Sequence, residues 1–174
     1  MIAALGRIGD PRAIEPIIAF LNDPRSSTIA SGHVIAVQAL GRFKDSRATA
    51  ALVAALNDND INTRSTAVAI SGATLDPRVI KPLIPVLQDS NRGVRQAAVN
   101  ALGEFPERRV VQPLINSLKD SDFSVRDRAE EVLGWSRDPR AVRAVQEYKA
   151  TQKNAPGSAL FPRLAIAVSA ECTT

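Results

Sequence analysis

Val94-Arg95-Gln96-Ala97-Ala98-Val99-Asn100-Ala101-Leu102-Gly103 carries aliphatic or small side chains at 94, 98, 101 and 102. That spacing lines them up on one side of an α-helix. The helix is predicted to bury Val94, Ala98, Ala101 and Leu102, and to end at a glycine suited to a left-handed C-cap. Alanine on the packed side lets a neighbouring backbone come close.

Moving outward, Gly103 is one of a series with Gly6, Gly41, Gly72 and Gly134, at spacings of 35, 31, 31 and 31. Four residues after each glycine stands an acid: Asp10, Asp45, Asp76, Glu107 or Asp138. Six residues after stands an arginine in every unit: Arg12, Arg47, Arg78, Arg109 or Arg140. Asp23, Asp58, Asp89 and Asp120 follow the first four glycines by 17 residues, and Arg64, Arg95 and Arg126 precede the last three by eight. So many coincidences in one frame mark an internal repeat.

Each unit reads as two helices. In Asp10-Pro11-Arg12-Ala13-Ile14-Glu15-Pro16-Ile17-Ile18-Ala19-Phe20-Leu21, the aspartate is placed to cap and Pro11 to open the helix. Pro16, repeated as Pro82 and Pro113, falls inside the helix, where it is expected to remove a backbone bond and bend the axis. One such pair cannot bury both of its faces, so the units must stack.

Units reading Asp-x4-Val-Arg-x2-Ala-Ala/Val-x-Ala-Leu-Gly, then Asp-Pro-Arg-Ala and Pro-Leu-Ile, resemble HEAT repeats of the short variety catalogued in phycobilin lyases. They are also similar to artificial HEAT-like repeat binders. The resemblance implies an all-α fold: a right-handed α-solenoid of HEAT-like hairpins (an alpha-alpha superhelix) with a period of about 31 residues. It covers residues 1–151, as a partial first unit and repeats near 24–58, 59–89, 90–120 and 121–151. Residues 152–174 form a C-terminal tail, whose apolar stretch 160–168 suits a docked cap. The opening residues read as the last half of a second helix with no polar cap before it, which suggests a fragment or an end that associates with something else.

Between Asp23 and Gly41 the chain is four residues longer than in the other units. His33 there takes the place of Arg64, Arg95 and Arg126, and is expected at a loop or helix start, facing solvent. Ser71 replaces the leucine before the anchor glycine in the third unit.

The composition bounds function. Aromatic residues make up 4% of the chain, so the core must be built from Ala, Val, Ile and Leu. Cys172 is the sole cysteine, which fits a reducing, cytoplasmic setting. No run of about 20 apolar residues offers a membrane span. With one histidine and one cysteine, no zinc site can be assembled from a single chain. No catalytic set, metal site or cofactor is implied. Asp10, Asp45, Asp76 and Asp138 read as helix caps rather than acids or bases. The eight repeated arginines read as a ladder between units, which makes much of the pI of 9.7 architectural.

By the resemblance, the second helices line the concave side. Their outward positions lie seven, six and three residues before each glycine and one after. The binding residues expected there are Arg7, Gln38, Arg42, Gln96, Asn100, Glu104, Asp127, Arg128, Glu131 and Trp135. This stripe holds three basic and three acidic side chains, unlike the basic track that nucleic acid would need. Trp135, the only tryptophan, suits either an interface anchor or a place beneath the C-terminal tail. The expected function is a non-catalytic scaffold for another protein. The alternative is a phycobilin lyase-like subunit handling a bilin, with Arg7 and Arg42 toward propionates and Glu104 or Asp127 toward pyrrole nitrogens. A DNA-binding HEAT-like protein fits least.

Overall fold

A computed structural model describes residues 2–23, 25, 26, 29 and 31–153. Ten α-helices follow one another with no strand among the described residues. They are α1 (Ile2–Ile8), α2 (Ile14–Asn22), α3 (Gly32–Leu40), α4 (Ser46–Ala55) and α5 (Ile61–Ala73). The second half comprises α6 (Ile80–Val86), α7 (Arg92–Gly103), α8 (Arg108–Ser117), α9 (Phe123–Gly134) and α10 (Pro139–Lys153). The expected C-terminal cap lies outside the described residues.

Packing sorts the helices into two rows. The row α1, α3, α5, α7, α9 is joined neighbour to neighbour, and α2 with α4, then α6, α8 and α10, lie along it. This is an α-solenoid: each hairpin buries one face against the hairpin before it and another against the one after. One core runs through all the units, built from Ile14, Leu40, Leu52, Val68, Leu83, Leu102 and Leu133 among others. Val94, Ala98, Ala101 and Leu102 are all buried.

The caps explain where helices begin. Asp10, Asp45, Asp76 and Asp138 accept the backbone N–H of the residue two positions on. Asp60 caps α5 through the N–H of Thr63, three positions on, Asn91 caps α7 through those of Gly93 and Val94, and Asp122 caps α9 through that of Ser124. Glu107 makes no capping bond for α8.

Two expectations are corrected. The anchor glycines do not adopt left-handed backbone; Gly41 has φ −61°, and only Gly9 among the described glycines has a positive φ, +73°. The left-handed residue stands three positions after the anchor, as Gly9 in the first unit and Leu75 (φ 52°) in the third. The anchors serve packing instead. A Cβ at Gly6 would lie 2.7 Å from Ala39 Cβ, and at Gly72 2.7 Å from Ala101 Cβ, with Gly41 against Ile70 and Gly103 against Val132. Each of these four glycines lets its helix touch the next in the row. The second correction concerns proline. Pro16 and Pro82 are third residues of α2 and α6, entered through 3-10 turns at Pro11–Ala13 and Pro77–Val79. In a first turn the missing N–H has little to lose. Pro113, by contrast, lies inside α8.

Ser71 stands where Leu40, Leu102 and Leu133 fill the core, and its Oγ is buried without a hydrogen-bond partner among the described residues. Ser71→Ala is therefore expected to raise the unfolding free energy by about 1 kcal/mol in a urea titration. A loss of stability would mean that the hydroxyl has a partner.

Candidate functional site

The chemistry on the surface is what remains once the frame has satisfied itself. One set of frame arginines makes local forks. Arg12 closes on Asp10 at 2.5 Å, Arg47 on Asp45 at 2.9 Å, Arg78 on Asp76 at 2.6 Å, Arg109 on Glu107 at 2.5 Å and Arg140 on Asp138 at 2.9 Å. Bonds from the arginine side chain, then from its backbone N–H, pull Asp10, Asp45 and Asp138 down to about 2. Three of these arginines also reach back one unit: Arg47 to Glu15 at 3.1 Å, Arg109 to the Pro77 carbonyl at 3.0 Å, and Arg140 to the Arg108 carbonyl at 3.2 Å.

A second set forms the ladder. Arg64 donates through Nε to Asp89 at 2.8 Å, and Arg95 does the same to Asp120 at 2.9 Å, each link spanning 25 residues. Nη1 of each turns the other way, onto the carbonyls of Asp58 and Asn59 or of Asp89 and Ser90. Asp89 and Asp120 also accept the amide two residues on and so shape the next helix start. Burial opposes the charge on these carboxylates, but the arginine and amide bonds outweigh it, and both lie below the usual range. Arg126 keeps its bonds to the Asp120 and Ser121 carbonyls and sits over Phe123. Its ladder acid is missing, because position 151 is Thr151.

His33 completes this ladder, contrary to the expectation that it faces solvent. Its side chain is 15% exposed, Nδ1 lies 2.6 Å from Asp58 Oδ2, and Nε2 lies 2.7 Å from Ser26 Oγ. The sequence reading missed this link, although the 25-residue interval from 33 to 58 matches 64 to 89 and 95 to 120. Ser26, His33 and Asp58 have the connectivity of a Ser-His-Asp relay. Ser26 is only 2% exposed and lines neither cavity described below, so the three serve as a link between units.

The outward stripe has a different character. Arg7 and Gln38 stand on α1 and α3, with Arg42 just past α3. Gln96 and Asn100 are on α7, and Asp127, Arg128 and Glu131 on α9. Glu104 and Trp135 follow the ends of α7 and α9. Arg7, Gln38, Arg42, Asn100, Glu104, Asp127, Glu131 and Trp135 are exposed, and Gln96 and Arg128 half-buried. Arg128 is engaged, with Glu131 at 2.5 Å and with Asn100. Arg7, Arg42, Glu104 and Asp127 have no ion pair or side-chain hydrogen bond among the described residues. Arg7 and Arg42 lie toward one end of the row, and Glu104 and Asp127 toward the other.

Concavities are present both at the stripe and away from it. One, of about 1080 Å³, lies over the turns from α7 to α8 and α9 to α10 and includes Glu104 and Trp135. The other, of about 380 Å³, lies between α2 and α4 over an alanine floor, Ala50, Ala51, Ala54 and Ala55. No group of three or more His, Cys, Asp or Glu residues suited to a metal occurs among the described residues. None of their helices is long and apolar enough to cross a membrane.

Comparison with known proteins agrees with this architecture. The family model for HEAT repeats matches residues 33–91 and 80–156, and that for the PBS lyase HEAT-like repeat matches residues 1–23. Among solved structures, the complex of CpcE and CpcF of phycocyanin lyase from Nostoc sp. PCC7120 contains a similar chain. It is 22% identical, with a TM-score of 0.61 over 85% of this chain and 92% of that one. At that identity the likeness is one of fold. No curated protein matches the chain significantly. With hairpins stacked in two rows and the family match spanning well over half of the sequence, the chain belongs to the HEAT-repeat family.

Proposed function

We propose that this protein is a non-catalytic scaffold that holds another protein along the outward stripe of α1, α3, α5, α7 and α9. On this reading the stripe is the concave wall of the solenoid. One observation carries it: the frame charges are bonded internally, whereas Arg7, Arg42, Glu104 and Asp127 have no partner among the described residues. Unpaired charges of opposite sign at opposite ends of a preformed surface orient a partner at little ordering cost. Membership of a repeat family that stacks into extended surfaces supports the same reading.

The test is a pull-down from source lysate with the parent chain and an Arg42→Glu/Glu104→Arg variant of matched melting temperature. A protein held by the parent and lost from the variant is the expected result. Equal retention by both baits, or none by either, would overturn the stripe.

A second reading has its own support. The PBS lyase HEAT-like match over residues 1–23 and the likeness to the CpcE–CpcF complex favour a bilin-handling subunit. Arg7 and Arg42 would then face propionates, and Glu104 or Asp127 pyrrole nitrogens. A bilin bound in this way would stay with the chain after free pigment is removed by gel filtration and give the protein fraction a visible absorbance that Arg42→Glu diminishes. The mixed stripe, three basic against three acidic residues, does not support DNA as the ligand.

A further inference from the structure

The cavity over the last two turns departs from the repeat in a chemically consistent way. Trp135 occupies the position held elsewhere by Arg7, Arg42, Ala73 and Glu104, and Arg137 that of Gly9, Lys44, Leu75 and Pro106. Arg108 replaces Pro11, Ser46, Pro77 and Pro139. All three line the same 1080 Å³ cavity, whose floor includes buried Phe105 and Leu114.

The charges on its rim can be matched pair by pair. Glu107 closes on Arg109 and Asp138 on Arg140, so those four cancel. Arg108, Arg137 and Glu104 are left without an ion pair or side-chain hydrogen bond among the described residues. Arg108 adds only a through-space influence on Asp138. The uncommitted charge is two guanidiniums against one carboxylate, beside an indole that is 73% exposed. Tryptophan and arginine are among the side chains that most often anchor interfaces, and guanidinium pairs with carboxylate through two parallel bonds.

We propose that this cavity docks an acidic segment of a partner protein, whose carboxylates meet Arg108 and Arg137 while an apolar side chain covers Trp135. The proposal rests on the scaffold reading and gives the partner its chemistry. Arginine clusters recognise acidic motifs in this manner.

Because Trp135 is the only tryptophan, its emission reports on this cavity alone. The probe is a short Glu/Leu peptide without aromatic residues, titrated into the full chain beside Gln/Leu and Lys/Leu peptides and a single-stranded oligonucleotide. The acidic peptide is expected to move the emission to shorter wavelength, with binding that weakens as salt rises. Arg108→Glu/Arg137→Glu should weaken that binding by about tenfold or more while leaving the melting temperature intact. A response to the Lys/Leu peptide instead would mean that Glu104 sets the chemistry, and the proposal falls. An equal response to the oligonucleotide would make this a polyanion site and overturn a protein segment as its occupant. Silence with every probe also overturns it. Arg137 lies outside the stripe, so the two readings separate. A partner lost from the Arg42→Glu/Glu104→Arg bait yet kept by Arg108→Glu/Arg137→Glu leaves the scaffold standing and removes the cavity.

Discussion

Gly72→Ala is expected to destabilise the chain by about 1–3 kcal/mol, as overpacking of a close-packed site does. The new Cβ would stand 2.7 Å from Ala101 Cβ and 2.8 Å from Ala101 Cα. A backbone atom cannot swing aside as a side-chain tip can, so α5 and α7 would have to separate. For a chain of this length that corresponds to a fall in melting temperature of roughly 2–4 °C per kcal/mol. The chain contains its own control in Gly134, where a methyl group would meet no described atom within 4 Å. Gly134→Ala should be neutral or stabilising by up to about 1 kcal/mol, because alanine is the better helix former. Equal losses at both positions, followed by thermal or urea denaturation, would show that the glycines act through backbone conformation and not through packing.

Arg95→Ala is expected to cost about 3 kcal/mol or more, the usual loss when one member of a buried ion pair is removed. The Arg95 and Asp120 side chains are only 12% and 9% exposed. Without the guanidinium, Asp120 keeps the Asp122 amide but loses its counter-charge. Arg126→Ala is the matching control, since Arg126 contacts carbonyls and the Phe123 ring but has no ladder acid, and its loss should be distinctly smaller. The effect depends on pH with a definite sign. Asp120 titrates below the ordinary carboxylate value of about 3.9. Its contribution is therefore complete above about pH 4 and disappears as the pH falls through the lowered folded value. The stability difference between parent and Arg95→Ala should hold from neutrality to about pH 4 and close below it. A difference unchanged into strong acid would mean that the link is not ionic.

How much is legible in the sequence differs from residue to residue. The hairpins, the caps at Asp10, Asp45, Asp76 and Asp138, and the buried set of Val94, Ala98, Ala101 and Leu102 follow from local rules. Helix period and capping act within a few residues, so one linear stretch contains them. Spacing locates the anchor glycines but misleads about their purpose. A C-terminal glycine is locally compatible with a left-handed cap, and only the next helix in the row shows that the missing methyl makes room for Ala39 or Ala101.

The charges divide in the same way. Repetition of arginine predicts a ladder, yet it does not say that Arg12 and its equivalents spend themselves mainly on local forks while Arg64 and Arg95 cross between units. The repeat frame places His33 in the arginine's position, but its bonds to Ser26 and Asp58 depend on a loop and a unit that meet only after folding. The cavity holding Trp135, Arg108 and Arg137 is likewise a product of stacking, since no single unit encloses it. The repeat, its helices and its buried faces depend on neighbours along the chain, so the linear order of residues was enough to specify them. Which charges are consumed, which glycines are contacts and which side chains share one cavity became visible only in the stacked molecule. Each of these depends on residues about 25 to 33 positions apart, brought together when one hairpin packs on the next.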